Sequence, residues 1–212
     1  KKVVTVTAVG DCTLATDDAA VGDDSFDAMV EQKEDYTYFF ENVADIFEED
    51  DLTIVNFEGA LSDRGKRQDK QFAFRGDPEY VEILTSSSVE AANLANNHSS
   101  DYGQGSYVDT IEYLEDAGVA VFDGTDIEIM EINGVNVGLI GIYALNEKRA
   151  AELEPAMEKV KEAGAELIIA SFHWGEEKAK TPNDFQKELA HKAVDLGADL
   201  VVGHHPHVLQ GI

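Results

Sequence analysis

The sequence predicts an α/β fold in a single domain spanning residues 1–212. Segments with the pattern of buried strands alternate with helical segments along almost the whole chain. A two-residue hairpin signal, Asn133-Gly134, lies between two apolar runs and adds a hairpin to this alternation. The chain has 212 residues, of which 43% are apolar, and is therefore long enough to bury one sizeable core. Together these observations indicate buried strands in sheets that are covered by helices.

Eight segments have strand patterns, because apolar and polar residues alternate in them or a short apolar run lies between turn residues. In chain order they cover residues 3–9, 52–55, 91–94, 119–122, 127–132, 135–142, 167–170 and 200–202. Polar segments follow five of them: Gly10-Asp11, Asn56-Phe57-Glu58, Asn96-Asn97-His98, His173 and Gly203-His204-His205-Pro206-His207.

Five segments have helical patterns. Aromatic and aliphatic residues share one helical face over 36–47, and Pro78 fits the first turn of a helix over 78–85. Three more predicted helices, which include residues 108–114, 147–163 and 182–196, end at Gly118, Gly164 and Gly197. No internal repeat and no long linker divides the chain, so we expect one α/β domain.

Composition narrows the classes of partner. With 43 acidic and 16 basic residues, the formal net charge is −27. Such a chain repels nucleic-acid phosphates and anionic membrane surfaces, so we expect no nucleic-acid partner. The single cysteine, Cys12, excludes an internal disulfide framework, and no run of apolar residues is long enough to span a membrane.

Most of the histidines follow predicted strands. Five of the six lie just past the carboxyl end of a strand: His98, His173, His204, His205 and His207. Asp11 and Glu58 lie in equivalent positions. In α/β sheets this edge is where ligands bind. Each residue by itself is also explained as a hydrogen-bonded loop residue, but the set together indicates a site.

The residue types at these positions favour metal chemistry. Histidine nitrogen and carboxylate oxygen are ligands for zinc, manganese or iron. A carboxylate that bridges two such ions positions them to bind both the attacking and the leaving oxygen of a phosphoryl transfer. His205 and His207 are two residues apart and can point to the same side of an extended segment. The sequence contains neither a serine nucleophile elbow nor a phosphate-binding glycine loop near these residues.

At these positions the sequence resembles the bacterial capsule-synthesis protein family of poly-γ-glutamate capsule biosynthesis (the CapA family). The matching segments are Val9-Gly10-Asp11, Asn56-Phe57-Glu58, Asn96-Asn97-His98, Asp101-Tyr102-Gly103, His173-Trp174-Gly175 with Glu177, and residues 203–210. They occur in the order of the family and cover the chain from about Val4 to Ile212. The resemblance implies a metallophosphatase-like sandwich of two sheets flanked by helices, and we expect the chain to be truncated at its carboxyl end.

The resemblance also implies roles for individual residues. Asp11 and His207 stand where ligands of one metal ion belong, Glu58 where the bridging carboxylate belongs, and Asn97, His173 and His205 where ligands of the other ion belong. His98 resembles the histidine that protonates the leaving oxygen, with Asp101 as its orienting partner. Thr13 stands where related phosphatases have a further histidine, and Glu58 replaces a shorter aspartate. We therefore expect a divalent metal (Mn, Zn or Fe). A protein with a single bound ion, or with none, is an alternative that the sequence leaves open.

A basic stretch follows Glu58. Five of the sixteen basic residues fall within twelve positions: Arg64, Lys66, Arg67, Lys70 and Arg75. One interpretation is an electrostatic clamp for an anionic polymer such as polyglutamate, or for a phosphate group, with Arg64, Lys66, Arg67 and Arg75 as the substrate-binding residues. The alternative is an exposed loop with scattered counter-charges.

By resemblance, we expect a poly-γ-glutamate capsule biosynthesis or export protein with a metallohydrolase-like site. It would act at the extracellular face of the cell membrane, held there by an anchoring segment outside this sequence, together with other capsule-synthesis membrane proteins. Two alternatives remain open: a metallophosphoesterase unrelated to capsule, and a non-catalytic protein that binds an anionic polymer.

Overall fold

The alternating strand and helix patterns form two four-stranded sheets in the computed structural model, which describes residues 1–211. Ile212, the last residue of the predicted domain, lies outside the described residues. The predicted α/β class and its hairpin are both confirmed.

The secondary-structure elements follow one another closely. The strands are β1 (Val6–Cys12), β2 (Leu52–Phe57), β3 (Ala60–Leu61), β4 (Arg75–Gly76), β5 (Ala91–Asn93), β6 (Ala120–Phe122), β7 (Glu128–Ile132), β8 (Val135–Tyr143), β9 (Leu167–His173) and β10 (Leu200–His204). The helices are α1 (Phe26–Lys33), α2 (Ala44–Glu49), α3 (Val81–Thr85), α4 (Gln104–Asp116), α5 (Glu147–Ala150), α6 (Leu153–Glu162) and α7 (Asp184–Asp195). Short 3₁₀ turns lie at Tyr36–Phe39 and Pro78–Tyr80.

The first sheet has the strand order β1-β2-β5-β6, and all its neighbouring strands are parallel. The second sheet has the order β10-β9-β8-β7. Its strands pair in parallel except at the β7–β8 hairpin, which turns at Asn133 and Gly134 with φ of 53° and 73°. Both residues adopt the positive φ that a two-residue hairpin turn requires. The short strands β3 and β4 form a separate parallel pair.

Three apolar cores separate four layers. The central core lies between the two sheets, and includes Leu52, Ile54, Phe122, Val137, Leu139 and Ile169. A second core lies between the first sheet and helices α2, α3 and α4, and includes Val55, Phe57, Phe47, Ile83, Leu84 and Leu114. The third joins the second sheet to α6 and α7, and includes Ile142, Phe172, Leu153, Val160 and Leu189. The result is the predicted sandwich of two sheets flanked by helices.

The predicted helix over 147–163 is two helices, α5 and α6. Pro155 explains the division, because it lacks an N–H and its ring clashes with the carbonyl four residues earlier in a continuous helix. In the structure Pro155 lies in the first turn of α6, where its missing N–H is not needed.

The predicted helix over 36–47 is also interrupted, because only the 3₁₀ turn and α2 are helical. Phe39 packs on Phe26 of α1, with 4.8 Å between ring centroids, whereas Phe40 packs on Phe47 of α2 at 5.6 Å. The two neighbouring rings thus contact different elements. Helix α1, which sequence patterns did not predict, has no fully buried residue.

None of the helices within residues 1–211 combines the length and the apolar character that crossing a membrane requires.

Candidate metal centre

The space between the two sheets changes from apolar to polar at the carboxyl ends of the strands. On β2 the inward side chains are Leu52, Ile54 and then Asn56, because alternate residues of a strand share a face. On β9 the same alternation brings Ser171 and His173 to the inside after Ile169. The buried polar residues of this inner layer are Asn56, Asn93, Ser171, His173 and His204.

A β-bulge brings Asp11 into this layer. Ala8 pairs with Ile54 and Asp11 pairs with Asn56, so three steps along β1 match two steps along β2. The extra residue reverses the alternation, and Asp11 therefore lies on the inner face beside Asn56. Without the bulge, its carboxylate would be directed toward the helices.

Glu58 lies at the centre of the cluster. It follows β2, its side chain is buried, and its Oε1 lies 3.3 Å from His173 Nε2. Ligand atoms of Glu58, His173 and His205 lie within 4.8 Å of one another, and so do those of Asp11, Glu58 and His207. Glu58 therefore belongs to both groups, which is the geometry that a bridging carboxylate needs.

The remaining predicted ligands lie against these two groups. Asn97 Oδ1 is 2.6 Å from His173 Nε2, and His207 Nδ1 is 2.8 Å from Asp11 Oδ2. The backbone N–H of His205 donates to the Asp11 carboxylate at 3.2 Å. His205 and His207 have φ of 91° and 54°, values that cost energy in residues other than glycine. This strained loop places both imidazoles beside the carboxylates.

The electrostatics of the cluster suit a cation. Burial and the nearby Asp11 carboxylate raise the pKa of Glu58 to about 8. Burial and the four surrounding histidines lower the pKa of His173 to about 2, so its imidazole is neutral. The buried atoms Glu58 Oε1 and His205 Nδ1 accept or donate no hydrogen bond within the described residues. Imidazoles, carboxylates and buried metal-ligating atoms without a hydrogen-bond partner together fit a divalent ion.

His98 and Asp101 form a hydrogen-bonded pair next to this cluster. His98 Nδ1 lies 2.7 Å from Asp101 Oδ2, and both side chains are almost fully buried. The ring of Phe74 packs against the His98 ring with 4.7 Å between centroids. Because Nδ1 is bound to the carboxylate, Nε2 is the nitrogen left for a substrate.

The predicted clamp residues are mostly engaged in ion pairs. Arg67 binds Asp17 through two bonds of 2.7 Å, Arg64 pairs with Asp109, and Arg75 pairs with Asp18 at 3.0 Å. Each of the three arginines that the sequence predicted to bind an anionic substrate is thus paired with a carboxylate of the chain. Lys66 is exposed and makes no ion pair within residues 1–211.

Sequence analysis did not single out two residues that organise the site. Asn56, fully buried, donates to Asp11 Oδ1 at 2.8 Å and lies 3.2 Å from His173 Nδ1, so it contacts a candidate ligand of each ion. Lys70 contacts Asp101 at 2.6 Å. For Asn56, the signal in the sequence was a polar residue inside an otherwise apolar buried strand. Lys70 had none that distinguished it from its basic neighbours.

Known proteins match this chain over most of its length. Residues 5–212 match the family model described as bacterial capsule synthesis protein PGA_cap. The chain is 32% identical to the PGA biosynthesis protein CapA of Bacillus subtilis over 196 residues, which are 82% of this chain and 52% of that protein. It is 31% identical to the capsule biosynthesis protein CapA of Bacillus anthracis over 201 residues, 82% of this chain and 49% of that protein.

More distant matches agree with these. A probable polyglutamine synthesis accessory protein of Mycobacterium tuberculosis is 28% identical over 191 residues, 74% of this chain and 50% of that protein. The chain thus spans about half the length of the curated relatives it matches. The crystal structure of a hypothetical protein from Thermus thermophilus superposes with a TM-score of 0.51 at 19% identity, covering 82% of this chain and 63% of that one. This likeness shows the fold alone.

Proposed function

The chain belongs to the bacterial capsule synthesis protein family PGA_cap, and from this membership we propose that it serves poly-γ-glutamate capsule biosynthesis through a divalent-metal hydrolase site. The proposal includes action at the extracellular face of the membrane, beside other capsule-synthesis proteins. The main support for the metal site is that Glu58 belongs to both groups of candidate ligands.

Different residues would bind the metal ions and transfer the proton. Glu58, Asn97, His173 and His205 would hold one ion, and Asp11, Glu58 and His207 would hold a second, weaker one. A bound divalent ion supplies a Lewis acid and lowers the pKa of a bound water. The Nδ1–H of His98 is hydrogen-bonded to Asp101; as an imidazolium, His98 would carry a second proton on Nε2 and would pass it to the leaving oxygen of an anionic substrate, becoming a neutral imidazole.

Metal binding and turnover test this proposal. We expect the EDTA-treated protein, titrated with Mn²⁺ or Zn²⁺ in a calorimeter, to bind at most one ion tightly per chain, because Thr13 stands where a further histidine would complete the Asp11 group and Glu58 is shared. His173→Ala should weaken binding at least about tenfold, since it removes a neutral nitrogen ligand. His191→Ala, which changes an exposed histidine on α7, is the matched control. Failure of the unaltered protein to bind either ion would overturn the metal site.

The substrate class needs a separate measurement. The metal-loaded protein is incubated with poly-γ-glutamate, whose chain length is followed by gel filtration, and with bis(p-nitrophenyl) phosphate. Shortening of the polymer, absent in Glu58→Gln and retained in the exposed control Glu112→Gln, supports the capsule role. Turnover of the phosphodiester without any action on or binding of the polymer would instead support a metallophosphoesterase unrelated to capsule. The His98–Asp101 pair favours that second candidate, because it suits a leaving oxygen.

A non-catalytic role in binding an anionic polymer depends on positive charge in the basic stretch that is not engaged in ion pairs. With Arg64, Arg67 and Arg75 in ion pairs, the exposed Lys66 carries the remaining argument for polymer binding. Lys66→Glu should weaken polyglutamate binding more at low salt than at high salt, because exposed charges are screened over roughly 10 Å at 0.1 M ionic strength. Unchanged binding in this variant would remove the clamp.

A further inference from the structure

Lys70 is the member of the basic stretch whose side chain turns toward the metal centre. Its Nζ lies 2.6 Å from Asp101 Oδ1, 2.8 Å from the Asn97 carbonyl oxygen and 3.3 Å from His98 Nδ1. The backbone of the same loop is bound to this segment, because Gln68 N–H donates to Asp101 O at 2.8 Å. Lys70 therefore contacts all three residues that the site uses between 97 and 101.

Asp101 depends on this lysine for its counter-charge. Its side chain is 1% exposed, and the carboxylate accepts hydrogen bonds from Lys70, from His98 Nδ1 and from the Phe74 N–H at 2.8 Å. A buried carboxylate without a cation is costly, and its removal from water is offset only by close, well-directed donors. Lys70 is the cation in contact with Asp101 within the described residues.

The three arginines of the stretch have different partners. Arg64, Arg67 and Arg75 pair with Asp109, Asp17 and Asp18. None of these three aspartates belongs to either group of candidate metal ligands. The position of Lys70 is therefore not a general property of the loop.

We propose that Lys70 is a positioning residue that acts through Asp101: its ammonium group holds the Asp101 carboxylate in place, so that the Nδ1–H of His98 stays hydrogen-bonded to Asp101 and its Nε2 faces the substrate. The role in turnover rests on the proposed hydrolase function, but the orientation of His98 does not. The Asp101 carboxylate and the Asn97 carbonyl accept hydrogen bonds from its ammonium group, so the proposed role is exerted on protein atoms and not on the substrate.

The first test observes His98 directly, without substrate or metal. Nitrogen-15 NMR of the imidazoles, assigned with a His98→Asn variant, should show a His98 Nδ1 proton that exchanges slowly with water. Lys70→Met should speed this exchange at least about tenfold, because the acceptor carboxylate loses its second anchor. Lys70→Arg, which keeps the charge, should retain part of the protection. Lys192→Met is the matched control, since Lys192 forms an ion pair of similar length (2.7 Å) with Glu154 on the opposite face of the second sheet.

The second test is a double-mutant cycle with Asp101→Asn. If Lys70 acts through Asp101, adding Lys70→Met to Asp101→Asn changes neither the Nδ1 proton exchange nor kcat by more than about twofold. Alone, Lys70→Met should lower kcat about tenfold to a hundredfold while leaving KM and metal affinity nearly unchanged, a fraction of the effect of losing a general acid. The double variant contains no unpaired buried charge, so it keeps the comparison possible if Lys70→Met does not fold.

Two results would overturn the inference. One is a His98 Nδ1 proton equally protected in the unaltered protein and in folded Lys70→Met. The other is a further loss of kcat or protection when Lys70→Met is added to Asp101→Asn, which would mean that Lys70 acts on the substrate or on His98 by itself. A protein without turnover contradicts the proposed hydrolase, and the NMR comparison still decides the role of Lys70.

Discussion

At the scale of single residues, the site is defined by groups that are buried without a partner of opposite charge. Ligand atoms of Asp11, His173, His205 and His207 lie within 4.8 Å of Glu58, whose Oε1 has no hydrogen bond within the described residues. Water stabilises each of these groups in the unfolded chain, so burying them together lowers the stability of the metal-free folded state. A divalent ion offsets this cost, which makes stability and metal binding two measurements of the same arrangement.

The raised pKa of Glu58 predicts how the metal-free protein responds to pH. The folded protein holds a proton on Glu58 up to about pH 8, whereas the unfolded chain releases it above about pH 4.5. Folding therefore becomes less favourable as pH rises through this window. Urea unfolding with EDTA, compared at about pH 5.5 and about pH 8, should show the unaltered protein losing about 2 kcal/mol more than Glu58→Gln. Equal losses in the two proteins would contradict the assignment.

Replacing Asn56 should lower both the stability of the fold and the metal affinity. Asn56→Leu keeps the volume but leaves the Asp11 carboxylate and the Asn93 amide without their buried partner. We expect destabilisation of about 2–4 kcal/mol in urea unfolding. Metal affinity should fall about tenfold to a hundredfold, as for other residues that orient metal ligands. Asn136→Leu, at a half-exposed position on β8, should change neither quantity appreciably.

At the scale of elements, the strands determine which side chains reach the site. β2 and β9 deliver their last inward residues to it by simple alternation, whereas β1 needs a bulge to turn Asp11 inward. β8 approaches so closely at Gly141 that a Cβ there would lie 2.2 Å from Asn93 Oδ1. The polar layer thus sets how near the two sheets can come at this end.

Two glycines test this spacing. Gly141→Ala should displace Asn93 and break its bond to Asn56, with a cost of about 1–3 kcal/mol in thermal or urea unfolding. Gly10→Ala, on β1 at the bulge, should stay within about 0.5 kcal/mol, because a Cβ there meets nothing within 4 Å. If both substitutions were equally tolerated, the close approach of β8 to the polar layer would not hold.

At the scale of the whole molecule, the net charge of −27 opposes the compact state. Most of the acidic side chains are exposed, so their mutual repulsion depends on ionic strength. Raising NaCl from about 0.05 M to about 0.5 M should therefore raise the melting temperature of the EDTA-treated protein, because the Debye length falls several-fold. Glucose at equal osmolarity is the control for effects other than screening. A melting temperature that stays constant or falls with NaCl would contradict this account.

The sequence by itself determined the α/β class, the β7–β8 hairpin, and the position of Asp11, Glu58 and the histidines at strand ends. These features depend on local periodicity and on turn residues, which can be read within a few positions of each other. Helix boundaries differed from the prediction where packing decided them, as over 36–47, and where Pro155, in the first turn of α6, prevented one continuous helix with α5.

Only the tertiary structure decided what those residues contact. Arg67 finds Asp17 across 50 positions, Asn56 finds His173 across 117, and Lys70 finds Asp101 across 31. No local pattern distinguishes Lys70 from Arg67, since both are basic residues in one loop. Their roles differ because strand order and loop path bring different carboxylates to them, and contacts between distant segments depend on the whole packing of the two sheets.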